Sequence, residues 1–528
     1  VGCELNYHHK SGYILRTTGK EGLINKEGNI CKYAKFGYNY LNEPERITKP
    51  LLKVDGSFEE ISFEKAYEVI YDEIKHTEPE ENAFFAGSRL SNEEIYLIQK
   101  IARAGAKTNN IYNFQYLNAL QGSDKNYKAN VPFEEIHKAS KIYLIGSEIN
   151  EENGVAGFMV NKAQTHYGIP VESITTEEHS SMSHKVDHEI KIDSYYHFVK
   201  AVNHYILSQN LQNNLFIKDK CENFDAYKQH LLKENFDELV NASGICCKDH
   251  LIDFAERFNK EQNAIIIFSE RNISPRTGTE LFNLAMATGK IGKTASGILS
   301  LKEKNNSQGI FDMGIGPTKS VGGQSLEDQE FTNKLKKVWG IDKLPEIPGK
   351  SNIQLLEKGI INKMYIFGED PIGCALDNKR VDKWFGDADF IMVQDYFFTE
   401  TAHEADLILP ATMPLESSGT FTNTIRYIQQ FDKQIESIVE KENYQQLLDI
   451  LDKLNINGLS NPEEVRKEVI SLLPKNQQFE YTFEYTPENN SDFRLFKHGC
   501  DAVVKYFDEE FENELSNKKE HEFAQTNK

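Results

Sequence analysis

Met364-Tyr365-Ile366-Phe367-Gly368-Glu369-Asp370-Pro371 is the stretch whose reading decides the fold. An unbroken apolar run closed by a glycine and two acids reads as a strand over 363–367, buried on both faces, with a turn at its carboxyl end. Strands covered on both faces belong to parallel sheets. The same pattern recurs in Asn82-Ala83-Phe84-Phe85-Ala86-Gly87, Lys141-Ile142-Tyr143-Leu144-Ile145-Gly146, Pro170–Ile174 and Asn263–Phe268, and again at 389–393 and 405–409. Helical patterns lie between them. One starts at Phe63. Another opens at the capping box Ser91-Asn92-Glu93-Glu94 and lines up Ile95, Ile98, Ile101 and Ala102 on one face; a third runs from Gly154 to His166. Strands alternating with helices imply an α/β fold with parallel sheets covered on both sides. Gly87, Gly146 and Gly368 at strand ends suit ligand binding beyond the carboxyl edge.

The chain has 528 residues, enough for roughly two to four domains. Its apolar fraction of 39% supplies a sizeable core, and no apolar run is long enough to span a bilayer. A formal charge of −21 argues against a nucleic-acid partner. There is no GxGxxG fingerprint and no P-loop, so NAD and ATP are not expected as ligands of this chain. Residues 302–325, rich in Gly, Asn and Ser, read as one long functional loop. From about 436 the sequence turns helical, acidic and less hydrophobic, and 508–528 is expected to be disordered.

Seven cysteines, at 3, 31, 221, 246, 247, 374 and 500, form no disulfide framework and suit a reducing cytosol. Cys246-Cys247 reads as two thiols on a helix approach rather than as a site. Cys3 and Cys31 read differently. Leu5–His9 and Tyr13–Arg16 alternate like two strands joined by a turn at Lys10-Ser11-Gly12, and a loop carrying Cys31 follows. His8 and His9 are expected on the exposed hairpin. The two cysteines resemble the last two ligands of a four-thiolate 4Fe-4S site, the other two being expected upstream of Val1. The sequence then reads as a fragment of a longer electron-carrying subunit.

Taken in order, these segments resemble the molybdopterin oxidoreductase family. They are Val1-Gly2-Cys3 with Cys31, Ser91–Glu94 through Thr108-Asn109-Asn110, Gly146–Asn150, Asn305–Gly314, Gly368–Pro371, Gln394-Asp395 with Thr399–Ala402, Ala405–Pro410, and Gly419–Asn423 with Arg426. The resemblance covers about 1–430, and formate dehydrogenase alpha subunits and the large iron–sulfur subunit of NADH:quinone oxidoreductase are the nearest relatives it suggests. It implies an iron–sulfur domain (1–50), an α/β domain in two pieces (51–135 and 340–435) intertwined with a second, Rossmann-like one (136–339), and an extension (436–528) in which the family's C-terminal barrel has no counterpart. It also implies metal ligation by Cys3 and Cys31. A molybdopterin guanine dinucleotide site is implied at Gly146, Ser147, Asn150, Asn305, Gln308, Gly309, Gly368, Glu369, Asp370, Pro371, Gln394, Asp395, Thr399 and Glu400. Isolated acids after strands more often cap helices; their company with the Asn305–Gly314 loop favours a pterin-shaped cleft.

The chain departs from the family where chemistry is concentrated. The molybdenum-ligand position falls on Asn118, the adjoining His position on Ala119, and the carboxylate-holding Arg position on Lys302. Lysine lacks the bidentate fork of arginine. Strand 171–174 leads into Thr175-Thr176, and Ile190–Ile192 into Asp193-Ser194, where the family has Asp-Pro-Arg and Pro-Gly-Thr-Asp turns; Tyr33 replaces a relay lysine, flanked by Lys32 and Lys35. Three readings remain open. The first is a cytoplasmic electron-transfer subunit, peripheral to the membrane through flavin-bearing and iron–sulfur partners. The second is a true molybdenum formate dehydrogenase; the third is a scaffold without redox chemistry.

Overall fold

The computed structural model describes residues 1–117, 131–346, 352–456, 458–474, 481–487 and 495–497. Two sheets organise the molecule. In the first, strands follow the order 297–301, 264–269, 141–145, 171–175, 188–191, all parallel. In the second the order is 57–60, 51–54, 407–410, 390–395, 363–367, 82–86, 111–112. Its last five strands are parallel, and the hairpin Leu51–Val54/Ser57–Glu60 adds an antiparallel edge. Lys363–Phe367 pairs in register with Asn82–Ala86 on one side and with Phe390–Gln394 on the other. The expected α/β architecture is therefore present, and among the described residues no closed barrel is formed.

Local chemistry explains the elements. Ser91 Oγ accepts from the Glu94 amide (3.2 Å), and the Glu94 carboxylate accepts from the Ser91 amide (2.7 Å). This reciprocal cap starts helix Asn92–Lys100, whose residues are all buried beside the larger sheet. Helix Phe63–Lys75 turns Phe63, Ala66, Tyr67, Ile70 and Ile74 into the same core. Helix Gly154–Tyr167 ends at Gly168 in the left-handed region, a common stop signal. The smaller sheet is covered by helices Tyr195–Ser208, Lys248–Lys260 and Pro275–Ala287 on one face and by Gly154–Tyr167 on the other.

Two stretches differ from expectation. The long loop after 301 contains a buried helix, Ser307–Asp312, because Asn306 and Ser307 find partners inside rather than in water. The extension after 436 is helical, but much of it is core. Helices Asn443–Lys453 and Pro462–Leu472 bury Leu447, Leu451, Val465 and Leu472 with Ile95 and Ile98. Tyr481–Thr482 then pairs with Cys221–Glu222 and Phe483 enters the core of the smaller sheet. Residues 508–528 lie outside the described residues. Among the described residues no helix is long and apolar enough to cross a membrane.

Candidate functional site

The carboxyl edges of the two sheets are stitched together. Asn306, just beyond strand 297–301, donates its amide to Ser88 O (3.0 Å) and its side-chain nitrogen to Leu90 O (2.8 Å) and Asn92 Oδ1 (3.1 Å). Ser88 and Leu90 follow strand 82–86 of the other sheet. Asn92 also donates to Thr420 and Thr422 (both 3.0 Å) on the hairpin 419–431. Gly309 packs so tightly here that a Cβ would overlap the carboxamide oxygens of Asn306 and Asn92. At Gly87 a Cβ would overlap the Gly368 carbonyl, so adjacent strands end at a backbone contact no side chain can enter.

The acids at these strand ends are engaged within the chain. Glu369, 6% exposed, accepts from Asn113 Nδ2 (2.7 Å) and the Phe114 amide (3.1 Å), fixing the loop that approaches 118. Asp370 Oδ1 accepts from the Gly373 amide (3.2 Å), the Thr401 amide (3.0 Å) and the Thr401 hydroxyl (2.7 Å). That bond set anchors helix Glu400–Glu404, which Thr399 caps by accepting from the Ala402 amide (3.1 Å). Asp395 is buried, paired with Arg89 (2.5 Å). Asn150 donates to Met182 Sδ (2.8 Å) and accepts from Asn161 (3.1 Å), while Asn305 and Glu400 are exposed.

Lys302 lies in a buried charged cluster. Its ammonium pairs with Glu270, the two side chains being 2% and 8% exposed. The Glu270 carboxylate also accepts from Tyr116 (3.0 Å) and Ser300 (3.2 Å). Burial pushes the Tyr116 hydroxyl well above its ordinary range, with Glu270 and Glu303 adding to the shift. Tyr116 meets Phe311 edge-on at 4.9 Å, and the Lys302 ammonium lies 5.5 Å from the same ring. Glu270 and Tyr116 were missed by sequence reasoning, although Glu270 follows strand 264–269 as Glu369 follows strand 363–367. Asn118 and Ala119 lie outside the described residues.

A molybdopterin group can be tested against the residues present. Ser88 Oγ, Ser147 Oγ, Gln308 Oε1 and Gln394 Oε1 are buried with no hydrogen-bond partner. Leaving such an atom unmatched costs about 1–3 kcal/mol each. All four fall beyond or at strand carboxyl ends, or on the helix that joins the two sheets. Hydroxyls and amides of this kind fit a polar heterocycle, so the donor set is compatible with the group.

Cys3 and Cys31 are both half-buried free thiols. Cys31 precedes helix Lys32–Phe36, which Thr17 of the hairpin strand Tyr13–Lys20 holds by donating its hydroxyl to Lys35 O (3.0 Å). Asn25 donates to Cys3 Sγ (3.4 Å). Burial pushes the Cys3 thiol up, and Cys31 is near enough to add to the rise. Gln429 and Asn423 of the hairpin 419–431 donate to Gly2 O (3.0 Å) and Val1 O (3.4 Å). Cys31 approaches Gly154, the first residue of helix 154–167, at ordinary contact distance. Both cysteines are thus held against other elements of the fold, Cys3 by Asn25 and Cys31 beside Gly154.

The family model for molybdopterin oxidoreductases matches residues 46–453, and the chain belongs to that family. It is 30% identical over 500 residues to a Staphylococcus aureus (strain bovine RF122 / ET3-1) protein provisionally named a formate dehydrogenase, covering 90% of this chain and 50% of that one. A Staphylococcus haemolyticus protein with the same provisional name is 29% identical over 534 residues, 96% of this chain and 53% of the relative. The chain thus spans about half the length of these relatives. Among solved structures, acetylene hydratase from Pelobacter acetylenicus superposes with a TM-score of 0.64 at 14% identity, over 86% of this chain and 67% of that one. This last likeness concerns the fold.

Proposed function

We propose that this chain carries electrons within a multi-subunit, NAD-linked oxidoreductase, in the manner of the large iron–sulfur subunit of NADH:quinone oxidoreductase, and does not itself oxidise formate. The Lys302–Glu270 pair carries the reading. A formate ion entering there meets a cation already matched by a buried carboxylate. Asn118 and Ala119 agree with it, since an amide and a methyl stand where the resembled enzymes place a metal ligand and a histidine. Cys3 and Cys31 would give two of the four thiolates of a 4Fe-4S cluster, with the Asn25 amide donating to the Cys3 sulfur. The partners would be a flavin-bearing, NADH-oxidising subunit and further iron–sulfur subunits. The complex would be cytoplasmic, resting on the inner face of the membrane through those partners.

A second reading, a molybdopterin-dependent formate dehydrogenase, is favoured by the names of the staphylococcal relatives and by the four unmatched buried polar atoms. Ser88, Ser147, Gln308 and Gln394 would then hold the pterin guanine dinucleotide, which when bound supplies two-electron redox chemistry. The two separate on metal content. Protein isolated anaerobically from its own cells should contain iron, about four atoms or more per chain, and no molybdenum. Formate-dependent dye reduction should be absent. Stoichiometric molybdenum with formate activity puts the second reading first. A chain with neither metal is a scaffold.

A further inference from the structure

A second cluster of soft ligands lies far in sequence from Cys3 and Cys31. Cys246 Sγ is 3.0 Å from His250 Nδ1. One ligand atom from each of Cys246, Cys247 and His250 falls within 4.8 Å of the others, and all three residues are exposed. We propose that Cys246, Cys247 and His250 form a surface site for zinc, with solvent as the fourth ligand.

The segment bearing these groups is held at both ends by a buried frame. Helix Phe236–Ser243 stops at Gly244, whose φ of +71° and lack of space beside Asp193 both require glycine. Ser243 O accepts from the Asp193 amide (2.8 Å) and the Ser194 amide (3.2 Å), and Ile245 is buried. Cys247, extended at φ −156° and ψ 153°, caps helix Lys248–Lys260 through its backbone while its thiol makes no cap bond. The helix itself is fixed by Leu251, Phe254, Ala255 and Phe258 in the core. The backbone that carries the three ligands is thus braced on both sides. In a tetrahedral zinc site they sit about 3.5–3.8 Å apart, given bond lengths of about 2.0–2.3 Å. Exposed side chains cover that adjustment.

The donor set selects the metal class. Two thiolates and an imidazole suit a borderline-soft ion, whereas calcium and magnesium require oxygen ligands. Lys248, which lies between the ligands in sequence, is drawn off to Asp237 (2.5 Å). Binding one zinc ion would release the two thiol protons to solvent. It would clip the start of helix Lys248–Lys260 to the segment that precedes it.

The test is X-ray absorption at the zinc edge on the full chain loaded with one equivalent of zinc, with affinity read by competition against a chromophoric chelator. The expected first shell has two sulfurs near about 2.3 Å and lighter atoms near about 2.0–2.1 Å. C246S, C247S and H250A should each weaken binding by about tenfold or more, the scale on which even outer-shell partners act. Their folding is checked by circular dichroism, and H250Q provides a milder alternative to H250A. A sulfur-free shell overturns the proposal, as does an affinity unchanged in C246S/C247S. If C3S/C31S abolishes the signal, the zinc sat on the other cysteine pair and the proposal also fails. Binding of copper(I) alone, without zinc, overturns it as well.

Discussion

The pairing of Lys302 with Glu270 is open to a direct energetic test. Both side chains are essentially buried, and the carboxylate has two further donors, Tyr116 and Ser300. K302M would leave a buried carboxylate without its cation, and E270Q would leave a buried ammonium facing an amide. Removing one partner of a buried pair costs about 3–5 kcal/mol. K302M/E270Q buries no net charge and keeps an oxygen for one of Tyr116 and Ser300, while the other hydroxyl can turn to accept from the new amide nitrogen, so it should fall within about 2 kcal/mol of wild type. The double-mutant cycle should therefore give a coupling of roughly 3 kcal/mol or more. Urea unfolding followed by circular dichroism supplies the free energies. The same samples, heated with formate, should show no shift in midpoint, because the cation is already matched. A K302M variant within about 0.5 kcal/mol of wild type would refute the reasoning, since surface changes away from such features behave that way. Formate-dependent stabilisation of wild type, lost in K302M, would move the argument to the formate dehydrogenase reading.

Arg103 is wholly buried and donates to Asn109, Gln99 and the carbonyls of Gly314, Gly316 and Lys319. R103M should cost about 3–5 kcal/mol, as for a broken buried network, and speed amide exchange over 314–320. Burial pushes the Glu172 carboxyl up, but bonds from Arg257 (2.7 and 3.0 Å) and Lys141 (2.6 Å) outweigh it and leave it below the usual range. Its stabilisation is therefore complete above the ordinary carboxylate value and is lost as pH falls through the lowered one; the stability difference between wild type and E172Q should shrink below about pH 4.5. F483A removes a ring stacked on Tyr227 at 5.3 Å in the core of the smaller sheet, and should cost about 3–5 kcal/mol by denaturant titration. An effect under about 1 kcal/mol would mean that the segment around 483 is not part of that core.

The strands were legible because burial on both faces leaves an unbroken apolar run. The run read at 363–367 is a strand over those residues, and those read at 389–393 and 405–409 are strands Phe390–Asp395 and Leu407–Pro410. The Ser91 cap was legible for a similar reason, since both of its bonds lie within four residues. Buried polar segments were not. Ser307–Asp312 carries a Gly and several polar residues, and only partners such as Asn92 and Thr422, distant in sequence, make it a buried helix. The acidic stretch after 436 hid core residues because charge on the outer face of helices 443–453 and 462–472 dominates their composition, while Leu447, Leu451, Val465 and Leu472 point inward. His250 became a neighbour of Cys246 only through the turn of the helix that Cys247 caps.

The distribution of charge at the carboxyl edges of the two sheets explains why sequence alone could not choose among the functional readings. Acids after strands are what a nucleotide-binding edge and a self-braced edge both require. Here Glu369 holds the Asn113–Phe114 loop, Asp370 holds the start of helix 400–404, and Asp395 holds Arg89. Glu148 likewise binds the Ser180–Ser181 turn, accepting from both hydroxyls and the Ser181 amide. Each carboxylate brings two segments together, and each would lose those bonds by turning toward a ligand. The unmatched buried atoms at these strand ends include four uncharged ones, the Ser88 and Ser147 hydroxyls and the carboxamide oxygens of Gln308 and Gln394. A framework of braced acids with unmatched neutral groups among them can cradle a heterocycle.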